Sequence, residues 1–215
     1  MHDHDDPPGD PPCQAHKVIG GHIVDEQTYL DVCRYRKSER QRLYDLRRRM
    51  DQQARQAATI ALIKHLGHAL KERQFDTVAV YWPIRGEPDL RPLMSELCAA
   101  GKTVLLPVVL EKNAPLVFRP WYPGCKMVRG IWNILVPAAG TLKDPQVVIA
   151  PLVGVDKAKY RLGNGGGYYD RTLVSFGTAP FVIGAGFDFC RIETIFPMAW
   201  DIPMDKVVTE QGSGD

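Results

Sequence analysis

The sequence predicts an α/β three-layer sandwich built on a mixed, mainly parallel sheet. Three observations carry that expectation. Short β-rich runs alternate with segments of helical periodicity along the whole chain. One run, Gln146 to Pro151, is continuously apolar from Val147 onward, as a strand covered on both faces of a parallel sheet must be. A cluster of glycines then separates that run from a further helical segment, the arrangement in which open α/β sheets hold ligands at their strand ends.

A chain of 215 residues suits one such domain with a full core, expected over 26–210 between a disordered tail at 1–25 and a frayed end at 211–215. The tail combines His2, Asp3, His4, Asp5 and Asp6 with prolines at 7, 8, 11 and 12, so it neither buries apolar surface nor continues a helix. It has no apolar stretch of the secretory type, and no run elsewhere approaches the roughly 18 to 20 apolar residues of a membrane helix. A cytoplasmic protein without a membrane partner is expected. The five cysteines (Cys13, Cys33, Cys98, Cys125, Cys190) are odd in number and lack metal-site spacing, which fits reduced thiols. A formal net charge of +2 is too small to argue for a nucleic-acid partner, and no basic strand is interleaved with aromatics. Charge is nevertheless concentrated, with nine Lys/Arg and three Asp/Glu between Arg34 and Arg55.

From about Tyr29 to Leu70, Leu43, Leu46, Met50, Ala54, Ala57 and Ala61 recur at steps of three and four, which predicts two helices with a break near Asp51. On the first, Arg36 and Arg40 lie one turn apart with Lys37 and Arg47 nearby, either converging on an anion or forming a solvated basic face. Thr77 to Trp82 reads as a buried strand, running into Pro83-Ile84-Arg85-Gly86-Glu87-Pro88-Asp89 and a helix from Asp89, as N-cap, to Ala100, with Gly101 as its stop. Thr103 to Leu106 is a strand ended by Pro107. Leu116 to Tyr122, Cys125 to Arg129 and Ile131 to Val136 read as antiparallel strands near the sheet edge. After Gln146 to Pro151 come the glycine loop, a helix, a strand from Phe181 to Phe187, and a closing segment from Asp201 to Glu210.

The loop reads Arg161-Leu162-Gly163-Asn164-Gly165-Gly166-Gly167-Tyr168-Tyr169-Asp170-Arg171. Glycines let backbone N–H groups converge on a ligand without an intervening Cβ, and a helix start adds unpaired donors with partial positive charge. Arg161 and Arg171 flank the loop as permanent cations, and Asp170 offers a hard oxygen of the type Mg²⁺ prefers. The pattern fits neither a dinucleotide fingerprint, which would need glycine at Tyr168, nor a phosphate loop ending Gly-Lys-Ser/Thr. Spacing alone leaves open a loop that merely turns.

Taken whole, the eleven residues closely resemble the signature of 5-formyltetrahydrofolate cyclo-ligases, also called methenyltetrahydrofolate synthetases. Four further blocks between about Arg36 and Glu210 match in order: Arg36-Lys37-Ser38-Glu39-Arg40, Tyr81-Trp82-Pro83-Ile84 with Gly86-Glu87 and Asp89, Trp132-Asn133, and Asp201 to Glu210. The resemblance implies a fold similar to the NagB/RpiA/CoA-transferase group. It also implies ATP- and Mg²⁺-dependent conversion of 5-formyltetrahydrofolate to 5,10-methenyltetrahydrofolate, with the formyl oxygen phosphorylated before N10 closes the ring.

Carried over residue by residue, the resemblance makes Arg161 and Asp170 catalytic. ATP contacts fall to Arg36, Lys37, Arg40, Arg161, Leu162, Gly163, Asn164, Gly165, Gly166, Gly167, Tyr168 and Tyr169. Folate contacts fall to Trp82, Glu87, Trp132, Asn164, Gly165, Gly166, Gly167 and Tyr168, and metal ligation to Asp170 and Asp201. Reduced folate and ATP are then the partners, and a monomer is expected. Val136 stands where many members have Glu, and Lys159 where glycine is usual. A kinase or ligase for another small molecule, or a folate- or nucleotide-binding regulatory protein that has lost turnover, remain the alternatives.

Overall fold

The computed structural model describes residues 16–19 and 21–214. It begins with an antiparallel hairpin, β1 (His16–Ile19) and β2 (His22–Asp25). The disordered tail expected over 1–25 is therefore corrected for its last part; residues 1–15 lie outside the described residues. The signal was a Gly20-Gly21 dipeptide between β-branched residues, with Gly21 at φ +84, and the polar composition around it hid the hairpin.

Two helices follow, α1 (Glu26–Arg49) and α2 (Gln52–Lys71), with the break where the sequence predicts it. Each starts on an aspartate cap. Asp25 accepts the Thr28 N–H at 2.7 Å and Asp51 accepts the Ala54 N–H at 2.8 Å, each satisfying a donor the helix itself leaves unpaired.

The remaining elements are β3 (Thr77–Ala79), α3 (Arg91–Ala99), β4 (Thr103–Val108), β5 (Val117–Trp121), β6 (Met127–Arg129), β7 (Leu135–Pro137), β8 (Val147–Pro151), β9 (Gly154–Val155), β10 (Arg161–Leu162), α4 (Tyr168–Ser175), β11 (Phe181–Ala185), β12 (Lys206–Thr209) and β13 (Gly212–Gly214). Seven strands form the main sheet in the order β13-β12-β11-β8-β3-β4-β5. The five inner strands are mutually parallel and both edge strands antiparallel, so the sheet is mixed and mainly parallel.

Strict alternation splits the core into two layers. Val78, Val80, Val104, Leu106, Val147, Ile149 and Ile183 face α2 and α3, packing on Leu62, Leu66, Leu93 and Met94. Ala79, Leu105, Val148, Ala150 and Val182 face the other way, towards Tyr169, Leu173 and Phe176 of α4 and its flanks. Helix α1 packs apart from both, with Leu43 against Val153, Leu162 and Ile195 just beyond β8. That placement brings the basic helix over the carboxyl ends of the strands.

Four local expectations are corrected. Asp89 is not the N-cap of α3; Leu90 is, and Asp89 accepts the Arg91 N–H at 3.1 Å from one position further out. Pro107 does not end β4, because β5 goes on pairing along the other edge as far as Val108; on the β3 edge the ladder stops at the Val80 N–H bond to Leu105 O, where the next donor would be the N–H that Pro107 lacks. Ile131–Asn133 is a 3-10 turn, and pairing resumes only at β7. The C-terminal end expected to fray at 211–215 pairs through β13 with β12; Asp215 lies outside the described residues.

Candidate functional site

The glycine loop leaves β10, which is held antiparallel to β9, and ends at the first turn of α4. Gly165 (φ +94) and Gly167 (φ +62) occupy the left-handed region, where a side chain would be strained. At Gly163 and Gly166 the constraint is space. A Cβ would overlap the Arg161 guanidinium at Gly163 and come within 2.7 Å of the Tyr168 ring at Gly166. Gly167 at the N-cap offers no side-chain cap, so the first N–H groups of α4 are left for a ligand.

Four guanidiniums surround this loop. Arg36 and Arg40 descend from one face of α1, four residues apart. Arg36 forks onto both oxygens of Asp201 and also donates to Ile195 O and Phe196 O, each at 2.9 Å. Arg40 Nε donates to Gly163 O at 2.7 Å; burial, and next the charge of Arg36, pulls its pKa below the ordinary value. Arg161 pairs with Asp170 at 3.3 Å and lies over the Tyr169 ring. Arg171 donates to Gly166 O at 2.5 Å and covers the Tyr168 ring. Lys37, expected among them, is exposed and has no hydrogen bond or ion pair among the described residues.

Asp170 and Asp201 come from distant segments and meet through backbone: Asp170 Oδ1 accepts the Ile202 N–H at 3.4 Å, and Asp201 Oδ2 accepts the Met198 N–H at 2.6 Å. Their oxygens are hard donors suited to Mg²⁺ beside phosphate, though each carboxylate is held by an arginine here. Among the described residues no three His, Cys, Asp or Glu side chains form a metal-binding group by themselves.

Opposite the loop lies Glu87, only 5% exposed. Its Oε2 accepts the Ile84 N–H at 3.0 Å, whereas Oε1 makes no hydrogen bond of good geometry among the described residues. Burial raises its carboxyl above the ordinary Glu value; the Ile84 N–H, Arg47, the Asn164 amide and Arg85 oppose that rise. Tyr44 ties the two halves together, donating its hydroxyl proton to Asn164 Oδ1 and accepting from Arg85 Nη1 at 3.3 Å. Trp132 stands at the rim, 58% exposed and left-handed at φ +55, edge-on to Tyr168 with 5.2 Å between ring centroids. Tyr168 in turn accepts the Asn113 N–H at 3.2 Å.

Two of the expected contact residues also pack against the core layers. Trp82 packs against the α2/α3 core layer with Arg91 over its ring, and Tyr169 packs into the opposite layer, where burial raises its phenol pKa. Of the two departures, Val136 is buried opposite Val128, and Lys159 sits at φ +65, which explains why glycine is usual there. Tyr44, Arg85 and Asn113 were not anticipated as site residues, since nothing local distinguishes them. Arg47 was anticipated as a nearby cation, not as the buried one it proves to be.

Residues 33–210 match the model of the 5-formyltetrahydrofolate cyclo-ligase family. The 5-formyltetrahydrofolate cyclo-ligase of Escherichia coli K12 is 38% identical over 142 residues, covering 62% of this chain and 77% of that protein. That of Haemophilus influenzae is 30% identical over 164 residues, covering 73% and 85%. Among solved structures, the Aquifex aeolicus 5,10-methenyltetrahydrofolate synthetase superposes with a TM-score of 0.71 at 30% identity, covering 83% of this chain and 91% of that one. The Mycoplasma pneumoniae 5,10-methenyltetrahydrofolate synthetase shares the fold, with a TM-score of 0.68 at 20% identity over 81% and 98%. With 33–210 matched and the glycine loop, its arginines and Glu87 brought to one crest of the sheet, the chain belongs to the 5-formyltetrahydrofolate cyclo-ligase family.

Proposed function

We propose that this enzyme converts 5-formyltetrahydrofolate to 5,10-methenyltetrahydrofolate in a reaction that consumes ATP and requires Mg²⁺, releasing ADP and phosphate. The observation that carries the ATP requirement is the convergence of Arg36, Arg40, Arg161 and Arg171 on a glycine loop whose helix start is uncapped. Such a concentration of fixed cations and free N–H groups is suited to a triphosphate and has no use in binding a folate ring alone.

The formyl oxygen on N5 is amide-like and leaves poorly. Transfer of the γ-phosphoryl group to it creates a good leaving group. N10 then attacks the formyl carbon, loses its proton, and phosphate departs as the ring closes. Positioning and charge neutralisation are what this demands of the protein. Arg161 and the N–H groups of Gly163 to Gly167 cradle the phosphates, and Arg36 and Arg40 neutralise them from α1. Glu87 accepts from the pterin N–H groups, while Trp132 and Tyr168 stack at its edge. Arg36 and Arg161 exchange Asp201 and Asp170 for phosphate oxygens, which frees both carboxylates. Asp170 and Asp201 would then hold Mg²⁺, which would supply charge neutralisation to the phosphoryl transfer.

The test is to follow methenyltetrahydrofolate absorbance on incubating the protein with 5-formyltetrahydrofolate and Mg-ATP. The expected signal rises only with both nucleotide and metal present. A signal of equal rate without ATP, or none under any condition, would overturn the reading.

A further inference from the structure

Arg47 is the largest fully buried side chain among the described residues, 1% exposed, and its hydrogen bonding is incomplete. Its Nη2 donates to Leu152 O at 2.6 Å and its guanidinium carbon lies 5.9 Å from the centre of the Tyr44 ring, but Nε and Nη1 have no hydrogen-bond partner among the described residues. Nor does Oε1 of Glu87, the residue that follows Gly86, make a hydrogen bond of good geometry among the described residues, although the Asn164 amide stands close to that carboxylate. The two side chains are neighbours: a Cβ on Gly86 would touch the stem of Arg47 at 3.5 Å, and Gly86 at φ +73 turns the chain so that Glu87 follows directly. A buried cation with free N–H groups beside a buried carboxylate with a free oxygen is costly in the empty protein, because each group has lost water without a full replacement. Such groups await a ligand that carries both kinds of partner.

The charge pattern limits that ligand. An anion at Arg47 would lie against the Glu87 carboxylate, and phosphate has its own four arginines at the glycine loop. What suits the pair is a neutral lactam, an N–H donor adjacent to a C=O acceptor.

The geometry points to Arg47 as a specificity-determining residue that donates to the 4-oxo group of the pterin while Glu87 Oε1 accepts from the adjacent N3–H. This rests on the folate reading above and sharpens it. The site then selects 4-oxo over 4-amino pteridines. Replacing C4=O by C4–NH₂ turns the acceptor into a donor and N3–H into an acceptor, leaving Arg47 facing a donor and Glu87 facing a lone pair. A site built to bond a polar group rejects the analogue that lacks it far more strongly than it rejects a change of size.

The experiment measures dissociation constants of 5-formyltetrahydrofolate and its 4-amino counterpart, at a pH where both rings are neutral, for wild type and Arg47→Met, with ATP affinity as control. Met keeps the unbranched stem and removes the buried charge. Wild type is expected to favour the 4-oxo ligand roughly ten- to a hundredfold, and Arg47→Met to lose that preference with ATP affinity unchanged. Equal binding of both ligands by wild type overturns the inference without any variant. Retention of the preference in Arg47→Met overturns it too, and if that variant does not fold, retention in Arg47→Leu, which likewise has no donor, has the same force. Were 5-formyltetrahydrofolate neither bound nor converted by wild type, the folate reading itself would fall; conversion with unchanged preference removes only the role of Arg47.

Discussion

The two ends of the site treat their charges in opposite ways. At the glycine loop each arginine has an internal partner, Arg36 in Asp201, Arg161 in Asp170, Arg40 in Gly163 O and Arg171 in Gly166 O, and only Arg171 Nε among the buried nitrogens of these four lacks one among the described residues. At the other end Arg47 and Glu87 are buried with free donors and a free acceptor. On the proposed reading, a triphosphate would displace these internal partners and release the two carboxylates for a metal ion. A neutral ring cannot break ion pairs, so the groups that read it must be left unpaired beforehand, at a cost in stability. On that reading one end rearranges on binding, and the other is preformed.

Asp170→Asn tests the rearranging end and carries the largest expected effect. Turnover should fall by orders of magnitude and the Mg²⁺ requirement should rise. The melting temperature without ligand should move only a few degrees, because Asn still accepts the Ile202 N–H. Near-normal turnover at limiting Mg²⁺ would remove Asp170 from the metal site and leave its pairing with Arg161 as purely structural.

Glu87→Gln probes the preformed end. Folate affinity should drop roughly ten- to a hundredfold while ATP affinity holds, since an amide cannot replace both acceptor oxygens. Stability without ligand should move the other way. Burial raises the Glu87 carboxyl above the ordinary value of 4.5, so its neutral form suits the fold and its ionised form destabilises it increasingly as pH rises through the raised value. Urea midpoints should therefore favour the Gln variant by a margin that grows with pH. A margin independent of pH would mean that Glu87 is not a buried charge in solution.

Truncation asks whether the rearranging end leans on the hairpin. Trp200, next to Asp201, contacts His22 and Tyr29, and Asp25 caps α1. Deleting 1–15 should change little, whereas deleting 1–25 should cost about 1 to 2 kcal/mol of stability, read as several degrees of melting temperature. Equal behaviour of the two truncations would show that the hairpin adds nothing. The smallest expected effect belongs to Lys159→Gly, in the turn that leads to Arg161. Relieving a left-handed lysine should stabilise the protein by about 1 kcal/mol in chemical denaturation, with turnover unchanged. A loss of activity would tie this turn to the loop it precedes.

Much of the architecture was legible because its causes are local. The break at Asp51, the alternation of Val147 to Ala150 between two core layers, and the glycines at 165 and 167 each follow from a few neighbouring residues. Expectations failed where a local cue was overruled by a distant partner. Pro107 reads as a strand end until β5 is known to pair along its other edge, and the end at 211–215 reads as frayed until β12 offers it an edge.

The sequence by itself determined the order of elements, the loop and the identity of the charged groups, because periodicity, capping and glycine conformation act over a handful of residues. Which charges pair and which stay free was decided only by the tertiary structure. Arg36 and Asp201 are 165 residues apart, and Arg47 and Leu152 are 105 apart. Desolvation depends on everything packed around a group. A run of arginines on one helix therefore cannot reveal that Arg36 is spoken for while Arg47, eleven positions on, lies buried and incomplete beside Glu87.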